Sequence, residues 1–236
     1  MNRRALLIAE SPEDNPAPGA HSDVVAWRSF LRSSVGGVWR DHEITVAENW
    51  NKLQLLSAVV LLKEADYSLI VFAGHGQTVK TELPWSETQL FLVDDETILE
   101  RELNPGTLRC TIILDTCRTL AEGGHERTML KEAMFMGTQT DPVRCRTTYD
   151  KSLLEAEGGL VKVYATQSGV AAADSPSFSQ VIIYCALEWA RTQHGVLLLP
   201  NAVSSARETM LMINPQQQPE YNGGRRLRHF PFAVNV

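Results

Sequence analysis

Two stretches decide how this sequence folds: YSLIVFAGHG at Tyr67–Gly76 and CTIILDTCR at Cys110–Arg118. Each opens with a continuous apolar run, Tyr67–Ala73 in the first and Cys110–Leu114 in the second. Such runs predict strands buried on both faces, the signature of a parallel sheet covered by helices. Each then changes chemistry abruptly, to Gly74-His75-Gly76 in one case and Asp115-Thr116-Cys117-Arg118 in the other.

Working outward, Ala5–Ala9, His42–Ala47 and Leu160–Ala165 read as further strands. Helical periodicity lies between them. Asp23–Ser33 puts Val24, Trp27, Phe30 and Leu31 on one face, and Asn51–Lys63 puts Leu53, Leu56 and Val60 in register. Ser175-Pro176 reads as a helix start, with Phe178, Val181, Ile182, Cys185 and Trp189 on the stripe behind it. Asn201 reads as the cap of a last helix with Val203, Ala206, Met210 and Ile213 inward, and Phe230–Val236 as a closing strand. The alternation predicts an α/β sandwich, with a mostly parallel central sheet, helices on both faces, and one domain over 1–236. Two segments break it. Gln77–Gly106 is expected to hold a hairpin around Phe91–Val93 and Ile98–Leu99. Thr119–Gly159 is expected to be a mobile polar loop with some helix around Thr128–Met136.

Composition narrows the function. The 236 residues are 44% hydrophobic and 21% charged, which suits a globular chain and not a disordered one. With 22 basic and 28 acidic residues the formal charge is -6, a poor match to non-specific nucleic-acid binding. Cys110, Cys117, Cys145 and Cys185 form no C-x-x-C, so neither a zinc knuckle nor a redox pair is indicated. The short apolar run Ala5–Ala9 does not make a signal peptide, and no run is long enough to span a membrane. The expectation is a cytoplasmic protein with reduced thiols, no membrane contact and no nucleic-acid partner.

Ligand crevices of open parallel sheets lie beyond the carboxyl ends of the strands. If the two deciding strands are neighbours, His75 and Cys117 project side by side at that rim. A thiol needs a base or a cation beside it to become a nucleophile, and imidazole supplies both. The imidazole can also protonate a leaving amine, and the Gly76 N–H, helped by that of Cys117, can meet an oxyanion. Taken singly, a Cys or His at a strand end reads as packing or surface. The pair, each after an apolar strand and flanked by Gly or Asp, is far more specific.

IVFAGHGQ (70–77) followed by IILDTCR (112–118) resembles the caspase-like cysteine peptidases: caspases, metacaspases and their bacterial relatives. In caspases the His lies about 50 residues upstream of the Cys; here the separation is 42. The tail QQQPEYNGGRRLRHFPFAVNV is similar to that of bacterial members, less specifically. The resemblance implies a caspase-type sandwich, a His75/Cys117 dyad and a metacaspase-like endopeptidase. It also implies that Asp115, two before the nucleophile, lines the primary specificity pocket, joined by Asp23 of the first helix. Two such carboxylates would repel an acidic substrate side chain and attract Arg or Lys. A charge pair at ~4 Å is worth up to about 4 kcal/mol before desolvation. The other reading of Asp23 is a helix N-terminal acid answering the dipole.

The sequence departs from the metacaspase pattern at Ala73 (Ser expected), at Ala20 (a pocket Cys expected) and at Thr119-Leu120 (Ser-Gly expected). After the His only Glu82, Glu87 and the pair Asp94-Asp95 stand where calcium-dependent members are rich in Asp, so no metal and no other cofactor is expected. Val161–Ala165 and 166–174 correspond to the segment flanking the substrate, where a peptide could pair along an edge. Asp174 reads either as a pocket acid or as a helix-approach acid. Arg127, Arg144, Arg146 and Lys151 would offer self-cleavage sites in the 119–159 loop, or else are scattered surface charge. Cys110, Cys145 and Cys185 read as structural. With no recruitment module, the partners implied are a protein or peptide substrate with a basic residue before the cut, and an activating protein or upstream protease in cell death or bacterial defence. The alternatives are a catalytically silent scaffold that binds partner proteins, and a cysteine hydrolase of a non-peptide acyl group.

Overall fold

The computed structural model describes residues 1–14, 16–82, 85–117, 141–168 and 176–236, with Cys117 described for its backbone. The strands are β1 (Arg3–Ala9), β2 (Ile44–Glu48), β3 (Tyr67–Lys80), β4 (Ser86–Phe91), β5 (Thr97–Leu99), β6 (Arg109–Cys117), β7 (Gly159–Tyr164), β8 (Gly195–Leu198), β9 (Glu220–Asn222) and β10 (Pro231–Asn235). The helices are α1 (Pro18–Arg32), α2 (Lys52–Leu61), α3 (Pro142–Glu155), α4 (Phe178–Thr192) and α5 (Leu199–Ile213).

The main sheet runs β2-β1-β3-β6-β7-β9, with the β4–β5 hairpin attached to β3. β2, β1, β3, β6 and β7 are parallel, and β9 is antiparallel to β7. The strand pleat sorts the apolar runs onto two faces. Ala5, Leu7, Leu69, Val71, Ile113 and Val163 pack toward α1, α3, α4 and α5, while Leu6, Ile8, Ile70, Phe72, Ile112 and Leu114 pack toward α2 and the hairpin. That two-sided burial is why these strands are continuously apolar, each fully buried aliphatic side chain contributing ~1.5–3 kcal/mol. β8 and β10 form a separate antiparallel ribbon, and Phe232 of β10 stacks on Phe30 at 5.3 Å.

The expected α/β/α sandwich is present, but several local expectations need correction. β3 does not stop at Ala73; it continues to Lys80 because its far half pairs with β4. α1 starts at Pro18, so Asp23 sits inside it and not at its amino end. α2 is turned relative to the expected stripe: Leu55 and Val59 are inward, while Leu53 and Val60 are 75% and 67% exposed. With only Lys52, Gln54 and Ser57 polar on that helix, periodicity could not choose the face. α4 is capped by Ser177 and not Ser175, and α5 begins at Leu199 with Pro200 in its first turn, before Asn201. The hairpin strands are Ser86–Phe91 and Thr97–Leu99, with Asp94 and Asp95 in the turn at φ +56 each. The expected 119–159 loop ends early, where Asp141 accepts hydrogen bonds from Val143 N (2.9 Å) and Arg144 N (3.3 Å) and starts α3. Arg144, Arg146 and Lys151 are therefore helical; Arg127 and the expected helix around 128–136 lie outside the described residues. Among the described residues no helix is long and apolar enough to cross a membrane.

Candidate active site

β1 is followed by β2 on one side and β3 on the other, so the strand order reverses between β1 and β3. The crevice of such a sheet opens there, beyond the carboxyl ends. β3 and β6 are hydrogen-bonded neighbours in the register Ala73↔Asp115, Gly74↔Thr116, His75↔Cys117. Adjacent strands lie ~4.8 Å apart, so the backbones of His75 and Cys117 stand side by side at the rim. Packing excludes a side chain at Gly74 and leaves little room for one at Gly76. A Cβ on Gly74 would come within 2.8 Å of the Glu10 carbonyl oxygen, and one on Gly76 within 3.0 Å of the Gln89 carbonyl oxygen and 3.2 Å of Thr116 Cβ.

The half-buried His75 ring is held from the β1–α1 connection: its Nε2 lies 3.2 Å from the Pro16 carbonyl oxygen. A carbonyl only accepts, so this contact is a hydrogen bond in the tautomer with the proton on Nε2, which leaves Nδ1 as the nitrogen turned away from Pro16.

Asp23 and Asp115, 4% and 8% exposed, meet at the amino end of α4. Asp23 Oδ1 accepts from Ser177 Oγ (2.8 Å) and Gln180 Nε2 (3.0 Å), and Asp115 Oδ2 accepts from Ser179 N (2.7 Å). The partial positive charge of that helix end, together with these donors, makes two buried carboxylates tolerable in one place. Asp23 therefore answers a helix dipole, but that of α4 and not of its own helix. Trp27 Nε1, donating to Ser179 Oγ at 2.8 Å, ties α1 to the same turn. Asp174 lies outside the described residues.

Pro16, Ser177, Ser179 and Gln180 were not anticipated. A signal for two of them existed: Ser177-x-x-Gln180 ahead of an apolar run is a helix-start pattern. Ser177 Oγ does accept Gln180 N at 3.2 Å, but the Gln180 amide turns to Asp23 instead of back to the cap.

Of the segment expected to pair with a peptide, the strand part is not a free edge, and 169–174 lie outside the described residues. β7 is paired on both sides, with β6 and β9, and Gln217 Nε2 donates to the Ala165 carbonyl at 3.1 Å. Of the described residues beyond it, Ser168 Oγ reaches Thr78 Oγ1 of the β3 extension at 3.1 Å, spanning the end of β6.

Glu10, at the carboxyl end of β1, is fully buried and accepts from Trp50 N at 3.1 Å; burial pushes its carboxyl up to about 7. Beside it a cleft of about 450 Å³ is lined by Glu13, Asp14, Asp94 and Asp95, which makes that side of the rim negative. Among the described residues no group of three or more His, Cys, Asp or Glu is arranged to hold a metal ion, and Glu87 is paired with Arg101. Cys110 and Cys145 are buried, and burial pushes the Cys110 thiol up to about 11, where it is inert at neutral pH.

No known family model matches the sequence, and no curated protein matches it. Solved structures do. Caspase-1 of Spodoptera frugiperda superposes with TM-score 0.63 at 12% identity, over 99% of this chain and 90% of its own. The Drosophila initiator caspase Dronc gives 0.56 at 9%, over 96% and 80%. A protein of Geobacter sulfurreducens gives 0.58 at 14%, over 100% of both chains. The fold is that of the caspases.

Proposed function

We propose that this chain is a cysteine endopeptidase of the caspase/metacaspase type that cuts after Arg or Lys. The observation that carries the reading is the pairing of His75 with Cys117 across neighbouring strands at the crevice. In this reading Nδ1 of His75 takes the Cys117 thiol proton, and the sulfur attacks the peptide carbonyl carbon. The Gly76 and Cys117 N–H groups donate to the oxyanion. As the C–N bond breaks, His75 passes its proton to the departing amine and a thioester remains. Water, deprotonated by His75, cleaves the thioester, and the proton returns to sulfur. Asp23 and Asp115 form the floor that selects a cationic side chain, supported by their convergence on α4.

The latent enzyme would be switched on by a partner or an upstream protease, within a cell-death or defence response in the cytoplasm. The test is turnover of fluorogenic peptides ending in Arg, Lys or Asp. Release from the Arg and Lys peptides, absent in Cys117→Ala, is the expected result. Cutting after Asp alone overturns the pocket assignment. No turnover with any peptide, including after limited proteolysis, leaves a partner-binding scaffold as the better reading.

A further inference from the structure

At the pole opposite the crevice, three leucines stand in solvent: Leu108, Leu154 and Leu227 are 66%, 56% and 93% exposed. Scattered single exposed leucines need no explanation, but these three share one support, residues 154–159. Gly159 N donates to the Leu108 carbonyl at 2.7 Å, and the Leu108 side chain would lie 3.0 Å from a Cβ on Gly158. Arg109 donates to the carbonyls of Leu154 (3.0 Å) and Ala156 (3.2 Å). Leu227 N donates to Glu157 Oε1 at 3.0 Å.

The loop that carries Leu227 is built to hold it out. Arg226 Nε donates to the Gly223 carbonyl (2.7 Å), its Nη1 donates to the Glu157 carbonyl (3.2 Å), and its guanidinium lies 4.9 Å over the Phe230 ring. Glu157 N closes the other side on the Arg228 carbonyl at 3.3 Å. An apolar side chain displayed on a fixed tip loses little entropy when a partner covers it. The charge beside it is mainly positive. Arg225 and Arg228 are exposed beside it, with Arg226 and Arg109 behind, in a chain whose net charge is -6. Of the acids there, Glu155 is paired with Lys151 at 3.8 Å and Glu157 accepts the Leu227 N–H.

We propose that this arginine-rimmed leucine face docks an acidic, leucine-bearing segment of a partner protein. Apolar anchors ringed by charge of one sign recognise segments of the same apolarity and opposite charge. A second copy would set arginines against arginines. A nucleic acid would find the Phe230 ring buried and the half-buried Tyr221 and His229 rings engaged with each other at 5.8 Å. An extended anionic membrane would face the rest of a chain whose net charge is -6, which a short segment does not. β6 runs from Arg109 at this pole to Cys117 at the other, about 26 Å away at ~3.3 Å per residue. A partner bound here therefore leaves the crevice open.

The test is selection of a displayed library of random dodecapeptides on the full chain, with counter-selection on Leu227→Ser/Arg228→Glu. Both positions are exposed, so the variant should keep the melting temperature of the parent. Enriched peptides should carry Asp or Glu around Leu, Ile or Met, and should bind with Kd near the micromolar range. The double variant should weaken them at least ~tenfold, and added salt should weaken them too. The proposal is overturned if no peptide survives counter-selection, if the enriched peptides lack acidic residues, or if the double variant binds as well. It is also overturned if the face instead binds phosphatidylserine-containing vesicles or a single-stranded oligonucleotide.

Discussion

His75 Nε2 sits 3.2 Å from the carbonyl oxygen of Pro16, a residue on the connection between β1 and α1 and not on either strand of the proposed dyad. That contact turns Nδ1, the nitrogen to which the proposed mechanism gives the role of base, away from Pro16. Replacing His75 by Asn, or Cys117 by Ala, should cut kcat for an Arg-ended peptide by about a thousandfold or more. His75 is half-buried at the rim, so its variant should melt within a few degrees of the parent. A His75→Asn protein with parental turnover would remove the imidazole from the mechanism.

Gly76→Ala tests the packing of the same strand. Its Cβ would press on the Gln89 carbonyl and on Thr116, both parts of neighbouring strands. The variant should lose about 1–3 kcal/mol of stability and most of its turnover. Urea titration and the peptide assay read the two effects separately.

Asp115 accepts the Ser179 N–H in a buried setting, so Asp115→Ala leaves that donor unmet. About 1–3 kcal/mol of stability should go with it, and kcat/KM for Arg peptides should fall further than for a neutral P1 residue. Asp115→Asn keeps an acceptor and should recover most of the stability but not the Arg preference. An Asn variant with unchanged Arg turnover would show that the carboxylate charge plays no part in selection.

Glu10 gives a pH signature. Its carboxyl is raised from an ordinary 4.5 to about 7, chiefly by burial against the donated bond from Trp50. A group raised on folding favours the folded state while protonated, so its contribution is full below the unfolded value and is lost as pH rises through about 7. Across that window the protein should lose of the order of 2–3 kcal/mol. Glu10→Gln keeps an acceptor for Trp50 N and should flatten the decline, leaving the variant the more stable protein at pH 8. Urea midpoints from pH 4 to pH 8 check this; parallel curves for the two proteins would refute it.

Arg3 is fully buried at the amino end of β1, with Asp150 at 3.3 Å, Glu43 at 3.6 Å and the Trp39 ring 4.5 Å beneath. Arg146 of α3 joins the same Glu43. Burial raises the Glu43 carboxyl more than any one partner lowers it, but the hydrogen bonds from Arg146 and from the Arg40 backbone, with the charges of Arg3 and Arg146, together outweigh it and the group ends below its ordinary value. Its share of stability is therefore present at neutral pH and lost in acid. Arg3→Met removes the buried cation that Glu43 and Asp150 share with Arg146 and should cost up to about 3–5 kcal/mol at pH 7, less at pH 4. Equal losses at both pH values would show that the damage is packing alone.

Much of the architecture could be read from residues. Tyr67–Ala73 and Cys110–Leu114 predict two-sided burial because both faces of the sheet are covered, and that is where they lie. The stripe Val24, Trp27, Phe30, Leu31 predicts the buried side of α1 correctly because His21, Arg28, Ser29 and Arg32 mark the opposite side. α2 defeats the same method, since LQLLSAVVLL contrasts too little from face to face.

What the chain alone determined is a parallel α/β core with a histidine and a cysteine at the ends of two strands, because hydrophobic periodicity and residue chemistry are local properties. Tertiary structure decided that those strands are neighbours in the one register that aligns positions 75 and 117. It also brought Pro16 to the imidazole, and two carboxylates from distant elements to one helix end. Such meetings depend on strand order and helix docking, set by how the whole core packs, and no local pattern encodes them.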